Sequence, residues 1–439
     1  MRMRPSSPWA VAMLAAAVAA LGLVGSDALW LVPLGRLVAH GHVPHSVTFA
    51  RAPTSGWHDV PAGAQVVFWS LYRVLGGIRG LVVAQSVAAA IGFGALARGL
   101  AREGFSGAAL PVSVVVLAGS IPAVAITGVS LFSLALFPVL LGLLESESRA
   151  PSHRLWVVVP LLALWGNLHG GVLTGLGLLA CYVVFARPRA LLVLAASVAA
   201  LFANPQLWHT PDYYTAVFRT VVARQGSGLW TPLGTGPFDL VLVAAAAVLV
   251  LVIVAGRGHI RLWEGIGLLG LAAGTAHVAR TGTFFLFVAA YPAARALRLQ
   301  PQRRSLVVSL TVVGAAVSVV LLGNGPADPG SRPLARLAGR DRGPVLADPV
   351  LGQQVVLAGG RVWVDNPVDA FRRSDQQLYV DWLAGKASGA PAVRRSASVL
   401  VERTSHAGRR AARDSRLVLV ASDEHAALYR VKVTRGAGS

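Results

Sequence analysis

At 439 residues, 55% hydrophobic and only 13% charged, the chain has the composition of a multi-span membrane protein. Its formal charge of +20 is almost all arginine, Lys386 and Lys432 being the only lysines. With so much Ala, Val and Gly, that bias indicates a GC-rich bacterial genome and a grip on anionic lipid headgroups, with no nucleic acid as partner. Cys181 stands alone in an apolar stretch, which excludes a disulfide framework and a cysteine metal site.

A crossing of the hydrocarbon takes about twenty apolar residues, and its backbone must satisfy its own hydrogen bonds as helix. Eleven apolar stretches qualify as spans: 9–25, 78–98, 107–125, 128–144, 155–167, 170–186, 190–203, 239–255, 262–279, 282–297 and 305–323. Arginines mark cytoplasmic turns. Met1-Arg2-Met3-Arg4 therefore starts inside, and residues 26–64 form a long outer loop. The turns holding Arg98/Arg102, Arg149/Arg154, Arg187/Arg189, Arg257/Arg261 and Arg295/Arg298/Arg303/Arg304 fall inside. An odd count puts the C-terminus outside. The short pair meeting at Asn167-Leu168-His169 allows two half-spans that dip into the bilayer without changing sidedness. The first run has the basic start of a signal peptide, but it leads straight into the polar loop and is read as a retained span.

The outer loop carries Asp27, Arg36, His40, His42, His45, Trp57, His58 and Asp59. A carboxylate at the membrane surface, such as Asp27, can deprotonate an acceptor hydroxyl or hold a divalent cation against a phosphate; the alternative is a helix cap or a solvated acid. His40, His42 and His45 are metal-capable residue types, yet their spacing fits no zinc pattern. Between two spans lies Trp165-Gly166-Asn167-Leu168-His169-Gly170-Gly171. Polar groups at that depth face a wet cavity or other protein groups, and the glycines permit close helix approach. A later outer segment holds Asp212, Tyr213, Tyr214 and Trp230, suited to the headgroup layer. Arg280 can clamp a phosphate or snorkel to the interface.

Residues 324–343, rich in Pro, Gly, Asp and Arg, read as a linker. Beyond it, β-type runs at 344–348, 361–365, 398–402, 416–422 and 427–433 alternate with polar helical segments, one at 374–385. That is the pattern of a small α/β domain over 344–439. Its Asp365-Asn366-Pro367-Val368-Asp369 follows a predicted strand, where ligands often sit, although these residues are also ordinary turn formers.

Taken in order, these motifs resemble the GT-C superfamily of bacterial membrane glycosyltransferases that use polyprenyl-phosphate sugars. The resemblance rests on Asp27, Gly35-Arg36, Val43-Pro44 and Trp57, on Trp165 to Gly171, on Asn204-Pro205, Trp230, Pro232 and Ala279-Arg280, and on Gly352, Val362-Trp363-Val364-Asp365 and Tyr379 in the tail. It implies a GT-C-like transmembrane domain over 1–323 followed by the extracytoplasmic α/β domain. Its implied chemistry is transfer of a sugar from a polyprenyl phosphate to an envelope glycan, lipid or protein acceptor. Asp27 would then serve as base or metal partner and Asp59 as second acid. Arg36, Trp57, His58, Asn167, His169 and Arg280 would contact substrate, and a divalent cation such as Mg²⁺ or Mn²⁺ would assist. The chain departs from the family where Leu29-Trp30-Leu31, Val60-Pro61-Ala62 and Leu229 replace polar or acidic positions. Those departures favour a second reading, a catalytically silent scaffold or lipid-binding subunit of envelope assembly. A transporter ranks third: it calls for inverted repeats and ionisable residues at mid-membrane, and the sequence offers few beyond Glu264, near the inner end of its span.

Overall fold

A computed structural model describes residues 7–54, 56–324 and 331–432. The chain is mostly helical with a small C-terminal sheet. Met1 to Arg4 and residues 325–330 of the predicted linker lie outside the described residues. The described residues form two compact units: one holds 7–23, 71–208 and 226–324, the other 24–54, 56–70, 209–225 and 331–432.

The first unit is helical. Among the described residues, four helices are long and apolar enough to cross a membrane: Ile78–Arg102, Leu131–Arg149, Pro237–Ala255 and Ser305–Gly323. The expectation of eleven full spans is thus met only in part. Helices such as Ser7–Ala19, Ser106–Gly119 and Leu262–His277 have 13 to 16 residues and rise only about 20–24 Å. Local breaks shorten them. The first helix stops before Gly22, whose positive φ of 70° no helix accommodates. The stretch at 107–125 divides at Ser120 into Ser106–Gly119 and Ile121–Ala125.

Ion pairs gather several arginine-bearing turns at one end of this unit. Arg149 lies 3.2 Å from Glu103, Arg187 2.5 Å from Glu147, and Arg261 2.6 Å from Glu145. Arg295 bridges Glu145 and Glu264, so the ends of Leu131–Arg149, Leu262–His277 and Gly282–Ala296 meet in one charge cluster. Aromatic rings fill the space between helices. Phe137 contacts Trp165, Phe284 and Phe287, and Tyr182 meets Trp263 edge to face.

In the second unit, residues 26–64 are built into the tail domain. Strands β1 (Val345–Ala347), β2 (Ser398–Glu402), β3 (Leu417–Ser422) and β4 (Ala426–Val431) form a sheet in the order β1-β2-β4-β3. Only β1 and β2 run parallel, with Val345 opposite Ser398. The predicted strand at 361–365 contributes isolated bridges: Val362 pairs with Val345 on one side and with Ala50 on the other. Arg51 and Ala52 donate their amides to Val362 and Trp363 carbonyls at 2.9 and 3.0 Å. Leu346, Trp363, Phe371, Tyr379, Trp382, Val399 and Val401 form the core beneath. The predicted helix at 374–385 is Arg373–Leu383. Part of the predicted linker, Arg332–Gly339, is helix too, because Leu334, Ala335 and Ala338 recur on one face and bury it.

Helix Leu31–Ala39 crosses helix Ala62–Val74 at Gly35. A Cβ there would stand 1.9 Å from the Gln65 carbonyl oxygen and 2.8 Å from Trp69 Cβ. Because that obstacle is backbone, Gly35→Ala is expected to destabilise this unit by about 1–3 kcal/mol. Slower amide exchange in the variant than in wild type across residues 31–39 would contradict this.

Candidate functional site

The second unit contains a cavity of about 210 Å³ whose walls include Trp57, His58, Tyr213, Asp369, Phe371 and Arg372. Three chain segments meet there. The loop after helix Leu31–Ala39 turns at Gly56 (φ 80°) and presents Trp57 and His58. Helix Thr210–Phe218 supplies Tyr213, and the short turn Val368–Ala370 supplies Asp369. Trp57 is nearly fully buried and packs edge to face on Trp30, 6.5 Å between centroids. Its indole Nε1 donates to Asp369 Oδ2 at 2.8 Å, which fixes the carboxylate against the cavity wall. Burial raises the Asp369 carboxyl above the usual carboxylate range, and the Trp57 bond opposes that rise.

Behind this wall, Asp59 is fully buried. Gln65 Nε2 donates to both of its oxygens at 2.7 and 2.8 Å. Burial pushes its carboxyl up to about 7; the Gln65 bonds oppose the rise and the charge of Asp369 adds to it. Asp59 is not among the cavity-lining residues; its link to Asp369 is electrostatic.

Asp27 is half-buried in the turn before helix Leu31–Ala39. The tail domain grips its neighbours: Gln353 Nε2 and Asn366 Nδ2 both donate to the Ser26 carbonyl, and Leu29 N donates to Gln353 Oε1 at 3.0 Å. Asp365 beside this clamp is fully buried, with one carboxyl oxygen lacking a protein partner and burial holding its pKa well above normal. Arg36 is exposed, and its carbonyl lies 2.6 Å from His40 Nδ1. Neither Asp27 nor Arg36 lines the cavity. His40 and His42 face carbonyls of their own turn instead of converging with His45.

Asn167, His169 and Arg280 belong to the helical unit. Asn167 Nδ2 donates to the carbonyls of Ala163 and Ala203 at 2.9 and 2.7 Å, joining two helix ends. His169 Nδ1 lies 2.5 Å from Ser133 Oγ, which also accepts from Trp165 Nε1 at 2.8 Å. A Cβ on Gly171 would come within 2.5 Å of that hydroxyl. Within the Trp165 to Gly171 motif, Trp165, His169 and Gly171 thus converge on Ser133. The guanidinium of Arg280 sits over the Trp230 ring, 5.1 Å from its centroid.

Trp57 and His58 stand out in the sequence as candidate site residues, Tyr213 only as a headgroup-layer aromatic and Asp369 only as part of a strand-to-loop turn, while Arg372 carries no signal there. The strand-to-loop position of Asp369 was the signal available. Comparison with family models and with curated proteins returns no match to this chain.

Proposed function

We propose that the chain is a multi-pass bacterial plasma-membrane glycosyltransferase of the GT-C type. Its N-terminus is cytoplasmic and its C-terminal domain extracytoplasmic. It moves a sugar from a polyprenyl phosphate to an envelope glycan, lipid or protein acceptor. The observation that carries this reading is the carboxylate of Asp369, held by Trp57 on the wall of an open cavity that also presents His58, Tyr213 and Arg372. Aromatic faces stack on the C–H faces of a sugar, a carboxylate accepts its hydroxyl protons, and arginine complements phosphate. A carboxyl with a raised pKa suits proton transfer near neutral pH. Membrane residence is supported by helices Pro237–Ala255 and Ser305–Gly323, whose apolar side chains, Leu251, Val254 and Val319 among them, are exposed.

In the proposed reaction the acceptor oxygen attacks the anomeric carbon in line as the bond to the polyprenyl phosphate oxygen breaks. The acceptor proton passes to Asp369, and the product anomer is inverted. Supplying the purified chain with polyprenyl-phosphate sugars and following transfer tests this. Asp369→Asn is expected to lower turnover by about 10²-fold or more, and a wild-type rate in that variant would sink the mechanism. The sealed state of Asp59, both oxygens engaged by Gln65, favours the second reading, a silent scaffold. That reading predicts binding of polyprenyl phosphate without turnover of any donor.

A further inference from the structure

His58, His209 and Asp212 come together at the edge of the cavity, although 151 positions separate the first two in sequence. One donor atom from each lies within 4.8 Å of the others. The two imidazoles are stacked, 4.5 Å between centroids and 4° from parallel, and His209 Nδ1 is 3.2 Å from Asp212 Oδ2. His209 and Asp212 stand at the start of helix Thr210–Phe218 and are exposed, while His58 is half-buried and lines the cavity. No other group of three such side chains converges in this way among the described residues.

We propose that His58, His209 and Asp212 form a binding site for a divalent transition cation of the zinc class. Two imidazole nitrogens and one carboxylate oxygen are the donor set that Zn²⁺ accepts, whereas Mg²⁺ requires oxygen donors in an octahedron. Tetrahedral coordination with bonds of about 2.0–2.1 Å places donor atoms about 3.3 Å apart. Tilting the two rings out of their stack and rotating the exposed His209 and Asp212 side chains closes the remaining distance. Three protein ligands leave a fourth position open, as in catalytic zinc sites, and His58 puts that position beside the cavity. Arg372 on the same wall would favour an anionic group as the fourth ligand. The cation expected by family resemblance was Mg²⁺ or Mn²⁺; the residues here select a softer one. The assignment does not depend on sugar transfer, because binding is read directly.

The test titrates ZnCl₂ into the full chain in detergent by calorimetry and repeats it with CoCl₂ by visible absorption. One ion per chain is expected, with an intense d–d band for Co²⁺, and millimolar Mg²⁺ should not displace either. His209→Ala and Asp212→Asn should each weaken binding by about tenfold or more and remove the band. The triple variant His40→Ala/His42→Ala/His45→Ala should bind as wild type does. His209 and Asp212 are exposed, so unchanged thermal unfolding without metal should confirm that both variants fold. Wild-type affinity in the His209 and Asp212 variants, loss of binding in the triple variant, or competition by Mg²⁺ would each overturn the assignment.

Discussion

Arg295→Ala is expected to destabilise the helical unit by about 3–5 kcal/mol, measured as the fall in unfolding free energy of the full chain in detergent. The carboxylates of Glu145 and Glu264 are 1% and 0% exposed. Arg295 Nη2 donates to Glu145 Oε2 at 2.8 Å and Nη1 to Glu264 Oε2 at 2.8 Å. Arg261 adds a second cation, 2.6 Å from Glu145, and its backbone amide donates to Glu264 Oε2 at 2.8 Å. With alanine at 295, two buried carboxylates share one partly exposed guanidinium, and the uncompensated charge sets the cost. Lysine at 295 restores the charge as a single point without the planar fork, so it should recover only part of the loss. Adding Glu264→Gln to Arg295→Ala removes one orphaned carboxylate and should regain stability, a coupling that a packing defect would not give. A loss below about 1 kcal/mol would mean the cluster is not holding the three helix ends together.

That cluster was legible in part. Arginine-bearing turns were placed together by their alternation along the chain, and ion pairs through Arg149, Arg187, Arg261 and Arg295 join them. Helix lengths were not legible, because a run of apolar residues does not reveal where a break such as that at Ser120 interrupts it. In the tail, β-branched runs between turn residues located β1, β2, β3 and β4 to within a residue or two. The site was harder. Trp57 and His58 stand out in a polar loop, but their contacts with Asp369 and His209 close over 312 and 151 positions, and no local pattern encodes such pairings. Asn167 and His169 had two open roles at their depth. Bonds to the Ala163 and Ala203 carbonyls and to Ser133 now give each a local structural partner. The integration of residues 26–64 with the tail had no local signature either, since Gln353 and Asn366 reach back more than 300 positions to the Ser26 carbonyl.

Titration of Asp59 has an effect of similar size on the second unit. Its carboxyl is raised from 3.8 to about 7 in the folded chain, which corresponds to about 4 kcal/mol of pH-dependent stability. The sign follows from the direction of the rise. Well below pH 3.8 the acid is protonated whether the chain is folded or not, and its contribution is fully present. Between pH 4 and 7 the unfolded chain releases the proton while the folded chain retains it, so stability falls. Above 7 the loss is complete. Asp348, raised to about 6, and the raised Asp365 and Asp369 act in the same direction. Asp59→Asn isolates the Asp59 contribution, since the other acids remain. Gln65 Oε1 is buried without a partner and offers an acceptor for the new amide, so the variant should fold. The variant should match wild type near pH 3 and exceed it by up to about 4 kcal/mol at pH 8. Comparing amide exchange across residues 62–70 at each pH cancels the intrinsic pH dependence of exchange. Parallel profiles for wild type and Asp59→Asn would show that Asp59 ionises in the folded chain as it does in water. Its burial behind Trp57 would then have no electrostatic consequence for Asp369.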